Sequence, residues 1–575
     1  MTLKDRKTFA SEQFGVRLRV VLVLFLLVVV GLGARAVDLQ VLDDGFLEGQ
    51  GDARYTRIAK LSAHRGSIVD RYGEPLAVST PVDTVWANPR ELTRAAESLP
   101  KLAEALNRDV QWLTQRVTSN LEREFIYLIR HMRPQDAAQV DALGIPGVYL
   151  LREYRRYYPA GEVTGHVIGF TSIDDVGQEG LELAFDHSLG GEPGAKRVIQ
   201  DRLGRTVEDI ESIRAPRPGS DLVASLDLRL QYLAYRELKA AIQQHNAKSG
   251  SVVVLDVQTG EVLAMVNQPA FNPNDREQLK PAQYRNRAAT DIFEPGSSIK
   301  PFVVASALAS GRYHVDSVID TGPGMMRVGA KTIQDKHNLG AIPLTTVIAK
   351  SSNVGMAKLA LTLEAGTMWQ TLDALGFGKV SGSGFPGESA GLLNDYRQWR
   401  QIGQATISYG YGLSVTPLQL AQAYAVLASG GIRRPVSMRR VEGPVPGERV
   451  FDAQVARDLI EMMEHVVSDE GTGSRAGLIG YRVAGKTGTA WKASGGGYST
   501  NKYLAVFGGV VPASRPRLAA VVVIDEPSGR QYYGGEVAAP VFANVMAGAL
   551  RLMGVAPDDL GAVPASTLVQ AHAGE

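Results

Sequence analysis

The longest uninterrupted apolar stretch of the chain runs from Val20 to Ala34 and carries no charge. Five Lys or Arg residues and only two carboxylates precede it, a bias that favours a helix whose N-terminal side stays in the cytoplasm. A helix over this run reaches only ~22 Å, whereas a hydrocarbon core is ~30 Å thick. Flanking apolar residues and snorkelling arginines extend it. The sequence therefore predicts a transmembrane anchor over residues 16–37, with a cytoplasmic tail over residues 1–15.

A second interpretation of the same stretch is a cleaved signal peptide. The apolar run is short, and Ala34, Arg35 and Ala36 imitate a small-x-small cleavage site. The retained anchor is the prediction carried forward, and cleavage stays open. Both interpretations place the rest of the chain outside the cytoplasm.

Residues 40–220 alternate between short strand-like stretches and turn signals. Residues 70–73 read as a turn between two strands, and residues 125–130 read as hairpin-like. No phosphate-binding loop or catalytic carboxylate pair stands out, so Glu179 and Glu182 are expected in structural ion pairs. This part is predicted to be a β-rich pedestal domain.

The pattern becomes more regular after the linker-like stretch 215–220, and a second domain is predicted over residues 221–552. Asp227 is a plausible N-cap for a helix, and residues 251–257 and 261–267 read as a hairpin of buried strands. Three more strand patterns close the domain, so a sheet completed by both its ends and covered by helices is expected. Residues 553–575 are predicted to be a flexible tail.

Composition removes several classes of function. Cysteine is absent from the 575 residues, which excludes disulfides, cysteine nucleophiles and thiolate metal sites. The nine histidines are scattered without metal-ligand spacing, so neither a metal nor another cofactor is expected. The net charge of +1 provides no excess of positive charge that could bind a polyanion, so nucleic acid is not an expected partner.

Ser297 and Lys300 are three residues apart at the predicted start of a helix, a spacing that brings an amine within reach of a hydroxyl. A helix N-terminus also favours a developing oxyanion. The same four-residue pattern occurs at Ser98 and at Ser499, so alone it is weak. Pro100 interrupts the first copy and a polar loop surrounds the last, which leaves Ser297 as the nucleophile hypothesis.

Two further elements follow in order. Ser351 and Asn353 supply a hydroxyl and an amide, and the sequence Lys-Thr-Gly-Thr begins at Lys486. Taken singly, each reads more naturally as a helix cap or a turn. Lys300 can act as a base only if its pKa falls, and burial beside another cation would lower it. Lys486 is the candidate for that cation.

The ordered trio Ser-x-x-Lys, Ser-x-Asn and Lys-Thr-Gly resembles the signature of penicillin-binding proteins and serine β-lactamases. Longer stretches resemble class B penicillin-binding proteins of the septal FtsI type, also called penicillin-binding protein 3: FEPGSSIKPF, KSSNVGM, YGYGLSVTPLQLAQAYAVLA, AGKTGTA, RGSIVDRYGEPLAVS and RYYPAGEVTGHVIGF. The resemblance implies a multidomain α+β and α/β protein with one transmembrane helix, a dimerisation-type pedestal and a β-lactamase-like transpeptidase domain.

The resemblance also implies roles for individual residues. Ser297 would form an acyl-enzyme with a stem peptide, with Lys300 as base and Ser351 as proton relay. Backbone N–H groups of Ser297 and Thr489 would form the oxyanion hole. The residues implied to bind substrate are Asn353, Lys486, Thr487, Gly488 and Thr489, with Tyr409 and Tyr411, and less surely Tyr532 and Tyr533, as walls of the site.

On the same grounds the expected partners are pentapeptide stems of peptidoglycan, β-lactam antibiotics, an FtsW-like glycan polymerase and other division proteins. The expected location is the bacterial inner membrane, with the catalytic domain in the periplasm. The three motifs equally serve a D,D-carboxypeptidase or a β-lactamase, and a non-catalytic division scaffold is a further alternative. Transfer to a second peptide therefore rests on the resemblance, not on the spacing of the motifs.

Overall fold

A computed structural model of the chain describes residues 3–37, 56–61, 63–200, 206–277, 279–494 and 497–562. The chain divides into two compact units. The first comprises residues 1–63, 81–153 and 192–217, and the second comprises residues 64–80, 154–191 and 218–575. The predicted domain boundary at residue 220 stays a prediction. The predicted tail lies largely outside the described residues.

The strands up to residue 268 are β1 (Thr56–Leu61), β2 (Ile68–Val69), β3 (Pro75–Ala87), β4 (Ile126–Met132), β5 (Val148–Tyr157), β6 (Gly194–Gln200), β7 (Thr206–Arg214), β8 (Leu222–Val223), β9 (Ser249–Asp256) and β10 (Val262–Gln268). The later strands are β11 (Val318–Asp320), β12 (Met325–Val328), β13 (Lys331–Gln334), β14 (Ala341–Pro343), β15 (Ile432–Arg433), β16 (Glu448–Arg449), β17 (Ala484–Ser494), β18 (Gly497–Val511) and β19 (Leu518–Asp525).

The α-helices up to residue 290 are α1 (Leu3–Val37), α2 (Pro89–Arg94), α3 (Leu99–Ala105), α4 (Val110–Thr118), α5 (Pro134–Asp141), α6 (Gly165–Ile168), α7 (Gly180–Ala184), α8 (Asp186–Leu189), α9 (Leu228–Gln244), α10 (Pro281–Tyr284) and α11 (Arg287–Thr290). The later helices are α12 (Lys300–Ala309), α13 (Leu344–Ala349), α14 (Asn353–Thr362), α15 (Ala365–Ala374), α16 (Gln401–Ile407), α17 (Pro417–Ala428), α18 (Ala453–Val467), α19 (Gly534–Val537) and α20 (Ala539–Leu552).

Helix α1 contains a segment, Val16–Val37, that is long and apolar enough to cross a membrane. Its 22 residues have a mean hydropathy of 2.8, and none of that surface is buried inside the protein. A 22-residue helix spans about 33 Å, which matches the hydrocarbon core. This segment coincides with the span predicted from the sequence and fits a single-pass membrane anchor.

The first unit has its core where short helices pack against a sheet. Apolar residues of α2, α3 and α4, among them Leu92, Leu102 and Leu113, pack with Val85 of β3 and Ile126 of β4. A separate antiparallel sheet in this unit has the strand order β1-β6-β7. The stretch 125–130, which the sequence analysis read as hairpin-like, instead forms part of the single strand β4 from Ile126 onward.

The second unit is built on a five-stranded antiparallel sheet with the order β10-β9-β19-β18-β17. Strand β9, near the start of the unit's main segment, pairs directly with β19 near its end, for example Val253 with Val521. The predicted hairpin and the predicted closing strands are therefore confirmed, as is a sheet completed by both ends. Strand β17, which carries Lys486, lies at an edge of this sheet.

Both faces of this sheet are covered by helices, which explains its nearly continuous apolar strands. Alternate residues of β9 enter different cores: Val253 packs with Phe302 of α12 and Tyr424 of α17, whereas Val254 packs with helices α9 and α20. Helix α9 begins at the predicted cap, because the Asp227 carboxylate accepts the backbone N–H of residues 229 and 230. The site described below is held between the sheet and the helices of the first of these cores.

A buried ionic cluster binds the early segments of the second unit together. The Glu182 carboxylate accepts from Arg65 Nε at 2.7 Å and from Arg156 Nε at 2.6 Å, and all three side chains are buried. A carboxylate between two guanidinium groups compensates charges that burial would otherwise penalise. Glu182 is thus a structural ion-pair residue, as the sequence analysis expected, whereas Glu179 makes no ion pair within the described residues, contrary to that expectation.

Candidate active site

Ser297 lies in a 3₁₀ turn, Gly296–Ile299, that leads directly into helix α12. The sequence analysis expected one continuous helix here. Pro301 has no N–H to donate to the Ser297 carbonyl, so the turn closes instead through the Lys300 N–H on that carbonyl. The consequence is a half-buried Ser297 placed immediately before a helix whose first residue, Lys300, is fully buried.

Backbone contacts fix the position of this turn. Gly296 donates its N–H to the Gly410 carbonyl at 3.2 Å, and a Cβ on Gly410 would lie 2.0 Å from the Gly296 oxygen. Tyr424, fully buried in α17, donates its hydroxyl to the Ser298 carbonyl at 2.9 Å. These contacts leave the nucleophile turn, Gly296–Ile299, little freedom to shift.

Ser351 is the point at which the three sequence elements meet. Lys300 Nζ donates to the Ser351 carbonyl at 2.6 Å and to its hydroxyl at 3.2 Å, and it also donates to Asn353 Oδ1 at 2.8 Å. Lys486 Nζ lies 3.1 Å from the same Ser351 hydroxyl. Ser351 adopts a left-handed backbone conformation, with φ of 60°, that is uncommon for a residue other than glycine. Strain of this kind is found where a side chain must be presented in one direction.

Asp335 supports this arrangement from the loop after β13. Its carboxylate accepts the backbone N–H groups of Asn353 and Val354 and the hydroxyl of Ser352, at the N-terminus of α14. Ser352 itself caps α14 by accepting from the Gly355 N–H at 2.8 Å. The cap interpretation thus applies to Ser352, and the neighbouring Ser351 is left to face the two lysines.

Strand β17 brings the Lys-Thr-Gly-Thr sequence against the nucleophile turn. A Cβ on Gly488 would lie 2.9 Å from the Pro295 carbonyl oxygen, so the close approach requires glycine there. A Cβ on Gly296 would similarly lie 3.3 Å from the Thr489 carbonyl oxygen. The backbones of the two segments implied to form an oxyanion hole are therefore neighbours.

The threonine hydroxyls of β17 are held by the surrounding loops. Thr487 Oγ1 lies 2.9 Å from Thr472 Oγ1 and 3.3 Å from Lys486 Nζ. Thr489 Oγ1 accepts the Gly534 N–H at 3.0 Å. Strand β17 thus carries an amine and two hydroxyls within four residues, a set suited to a carboxylate.

Both lysines have depressed pKa values. Burial lowers the pKa of Lys300 well below its usual range, and the positive charge of Lys486 lowers it further, while Asp335 opposes the shift. Burial alone lowers the pKa of Lys486 to about 7. Lys486 is thus the neighbouring cation that the sequence analysis predicted, and a neutral Lys300 amine can serve as a base.

The predicted aromatic residues flank this site to different degrees. Tyr409 packs in a small core with Val354 and Ala405, and its ring lies 5.9 Å from that of Tyr411. The Tyr411 hydroxyl accepts the backbone N–H of Trp491, three residues beyond Gly488 on β17. Tyr409 thus joins a packed cluster, whereas Tyr411 contacts the strand that carries Lys486.

Four supporting residues were not singled out by sequence: Asp335, Tyr424, Gly410 and Thr472. Tyr424 and Gly410 fall within the stretch that resembles the family, so that stretch was their only signal. Asp335 and Thr472 belong to ordinary polar loops, and nothing in their spacing relates them to the three motifs. An accessible serine, two buried lysines that meet at a second serine, and a strand edge suited to a carboxylate define a serine acyl-transfer site.

Comparison with known proteins agrees with that class. Residues 250–547 match the Penicillin binding protein transpeptidase domain, and residues 60–224 match the Penicillin-binding Protein dimerisation domain. The chain is 46% identical to the peptidoglycan D,D-transpeptidase FtsI of Escherichia coli strain K12, over 93% of this chain and 91% of that protein. It is 42% identical to the probable peptidoglycan D,D-transpeptidase PbpC of Pseudomonas aeruginosa, over 98% of this chain and all of that protein.

A solved structure supports the same family for the transpeptidase part of the chain. The transpeptidase domain of Burkholderia pseudomallei penicillin-binding protein 3 aligns with a TM-score of 0.54 at 42% identity, covering 58% of this chain and 97% of that one. The chain belongs to the penicillin-binding protein transpeptidase family, on the FtsI branch that the sequence resembles.

Proposed function

We propose that this protein is a serine-type peptidoglycan D,D-transpeptidase that cross-links stem peptides through an acyl-enzyme on Ser297. The observation that carries the proposal is the hydrogen-bond network in which Lys300 and Lys486 meet at the Ser351 hydroxyl. It unites residues from three elements that lie far apart in the sequence, and it includes a buried lysine whose pKa is lowered. The kinship with named D,D-transpeptidases supports the same reaction.

Acylation follows from the roles that this geometry supports. Lys300 takes the proton of the Ser297 hydroxyl, and the oxygen attacks the carbonyl of the penultimate D-alanine. The tetrahedral oxyanion is stabilised by the backbone N–H groups of Ser297 and Thr489. Ser351 passes a proton to the departing amine, the C–N bond breaks, and D-alanine leaves.

Substrate binding falls to the strand edge and its neighbours. Lys486, Thr487 and Thr489 hold the terminal carboxylate, while Asn353 holds a peptide amide. Because β17 is an edge strand, the substrate backbone can pair along it next to Gly488. In the second half-reaction the amine of another stem peptide attacks the ester, which forms the cross-link and frees Ser297. A β-lactam enters as a mimic of the donor and stays attached to Ser297.

Labelling with a fluorescent penicillin tests this function. The purified full-length protein is expected to give a stable adduct that is lost completely in Ser297→Ala. Ser298→Ala is the matched control for an adjacent serine, and it retains the adduct because its hydroxyl bonds only to the Pro295 carbonyl. Rapid loss of the adduct would indicate a β-lactamase, and absence of any adduct would indicate a scaffold.

We further propose that the protein acts at the division septum, anchored by residues 16–37 in the inner membrane with its catalytic unit in the periplasm. Its kinship with FtsI supports this role. The glycan strands would come from an FtsW-like polymerase contacted through the anchor, in concert with other division proteins. Tyr409 and Tyr411 remain proposed walls of the substrate site.

Depletion of the protein in its host tests the septal role, with filamentous cells as the expected result and round cells as the contrary one. A chain whose residues 16–37 are replaced by an unrelated membrane span is expected to keep penicillin labelling but fail to restore division; full restoration would exclude a partner at the anchor.

The topology can be tested with a single thiol. Because the chain has no cysteine, Lys101→Cys provides that thiol. An impermeant maleimide should reach it from the periplasmic side, and protection there would refute the topology.

A further inference from the structure

Lys336 occupies one side of the active site. The preceding residue, Asp335, is fixed by its hydrogen bonds to the N-terminus of α14, where Asn353 begins the helix. Lys336 is exposed, and none of the catalytic roles proposed above uses it. Its backbone position is nevertheless tied to the same helix start that positions Ser351 and Asn353.

The Lys336 side chain reaches the opposite side of the site. Its Nζ lies 3.7 Å from the centroid of the Tyr533 ring. The next residue after Tyr533, Gly534, donates its N–H to Thr489 Oγ1 on β17. The Lys336–Tyr533 contact therefore joins the side that holds Asn353 to the side that holds Thr489. An exposed cation–π contact is worth only ~0.5–1 kcal/mol, so a better partner can displace it.

Lys336 is a cation without an anionic partner in the part of the chain that the structure describes. The only acidic group close by in sequence, Asp335, is occupied by the N-terminus of α14. Lys336 thus offers an unpaired ammonium to an incoming anionic ligand, and across from it the Glu536 carboxylate accepts the Tyr533 N–H at 3.4 Å.

The chemistry of transfer indicates which ligand approaches here. Aminolysis of the acyl-enzyme is acylation run in reverse, so the acceptor amine arrives from the side on which the D-alanine amine leaves. That side is marked by Lys486, Thr487 and Thr489, which hold the carboxylate of the departing residue. Thr489 is bonded to the segment that contains Tyr533. The Lys336–Tyr533 contact consequently borders the path of the acceptor.

We propose that Lys336 is a specificity-determining residue that exchanges its contact with Tyr533 for a carboxylate of the acceptor stem peptide. The inference rests on the proposed transpeptidase function and adds to it a preference for anionic acceptors. Lys336 binds the acceptor after acylation and takes no part in the reaction of Ser297 with the donor.

Transfer from a thioester donor to two synthetic peptide acceptors tests the proposal in the full-length protein. The acceptors carry the same amine and differ in one carboxylate, which is free in one and amidated in the other. In Lys336→Gln the half-saturating concentration of the free-carboxylate acceptor should rise about fivefold, the loss of one exposed ion pair. The value for the amidated acceptor should stay unchanged, and Lys336→Arg should restore the preference.

Lys101→Gln, which removes an exposed lysine from the first unit, is the matched control and should alter neither value. An equal rise for both acceptors would assign Lys336 a purely structural role and overturn the proposal. A parallel loss of the penicillin acylation rate would assign it to the donor and overturn it as well. If the unaltered protein fails to acylate at all, the proposed function itself is refuted, so the two failures are distinguishable.

Discussion

At the scale of single residues, the active site depends on two lysines in different roles that are both buried. In the proposed mechanism Lys300 must be neutral to accept a proton, whereas Lys486 must be charged to hold a carboxylate. Burial depresses both pKa values, and the charge of Lys486 further lowers that of Lys300. The pairing thus favours one neutral and one protonated amine around the Ser351 hydroxyl.

The pKa of about 7 at Lys486 predicts the pH dependence of acylation. The ammonium is present below that pH and is lost as the pH rises through it. For an anionic penicillin, the second-order acylation constant of the free enzyme should therefore fall above pH ~7. Stopped-flow acylation of the same drug with its carboxylate esterified supplies the comparison, since that substrate needs no charged Lys486. A decline identical for both drugs would contradict this assignment.

At the scale of elements, helix α17 acts as the support of the nucleophile turn. Tyr424 projects from it and bonds the Ser298 carbonyl, one residue beyond Ser297. The ring finds room because the facing position on β18 is Gly508, where a Cβ would lie 2.3 Å from Tyr424 Cε2. The packing of helix α17 against β18 therefore requires glycine opposite the Tyr424 ring.

Tyr424→Phe should slow acylation about tenfold, because the Ser298 carbonyl loses a buried partner at a cost of ~1–3 kcal/mol. The non-covalent affinity for penicillin should stay the same, since the strand that binds the carboxylate is untouched. Acylation and pre-acylation binding can be separated by rapid mixing. Tyr232→Phe removes a hydroxyl from an exposed tyrosine of α9 and serves as the control. A lower unfolding temperature with an unchanged acylation rate would reduce Tyr424 to a packing role.

At the scale of the whole molecule, sequence reasoning succeeded where local pattern determines structure. The cap at Asp227, the strands of the main sheet and the apolar segment 16–37 each follow from neighbouring residues.

Sequence reasoning did not foresee the 3₁₀ turn at Ser297, although Pro301 could have indicated it. It also missed Asp335, Tyr424 and Lys336, because their importance arises from contacts with residues far along the chain. Asp335 and Lys336 are ordinary residue types in a polar loop, and Tyr424 reads as one more apolar position of a helix, so none of them carries a local sign of such contacts.

The pairing of β9 with β19 also determines when the enzyme can first act. During synthesis, Ser297 and Ser351 emerge well before Lys486, and β9 stays without its neighbour until β19 has been made. Pairings between such distant segments form late in folding. We therefore expect a chain that lacks β17–β19 to carry an unreactive Ser297, and reactivity toward peptides or drugs to begin only when the second unit is nearly complete. Newly made molecules are thus expected to become sensitive to penicillin all at once, at the end of their own assembly.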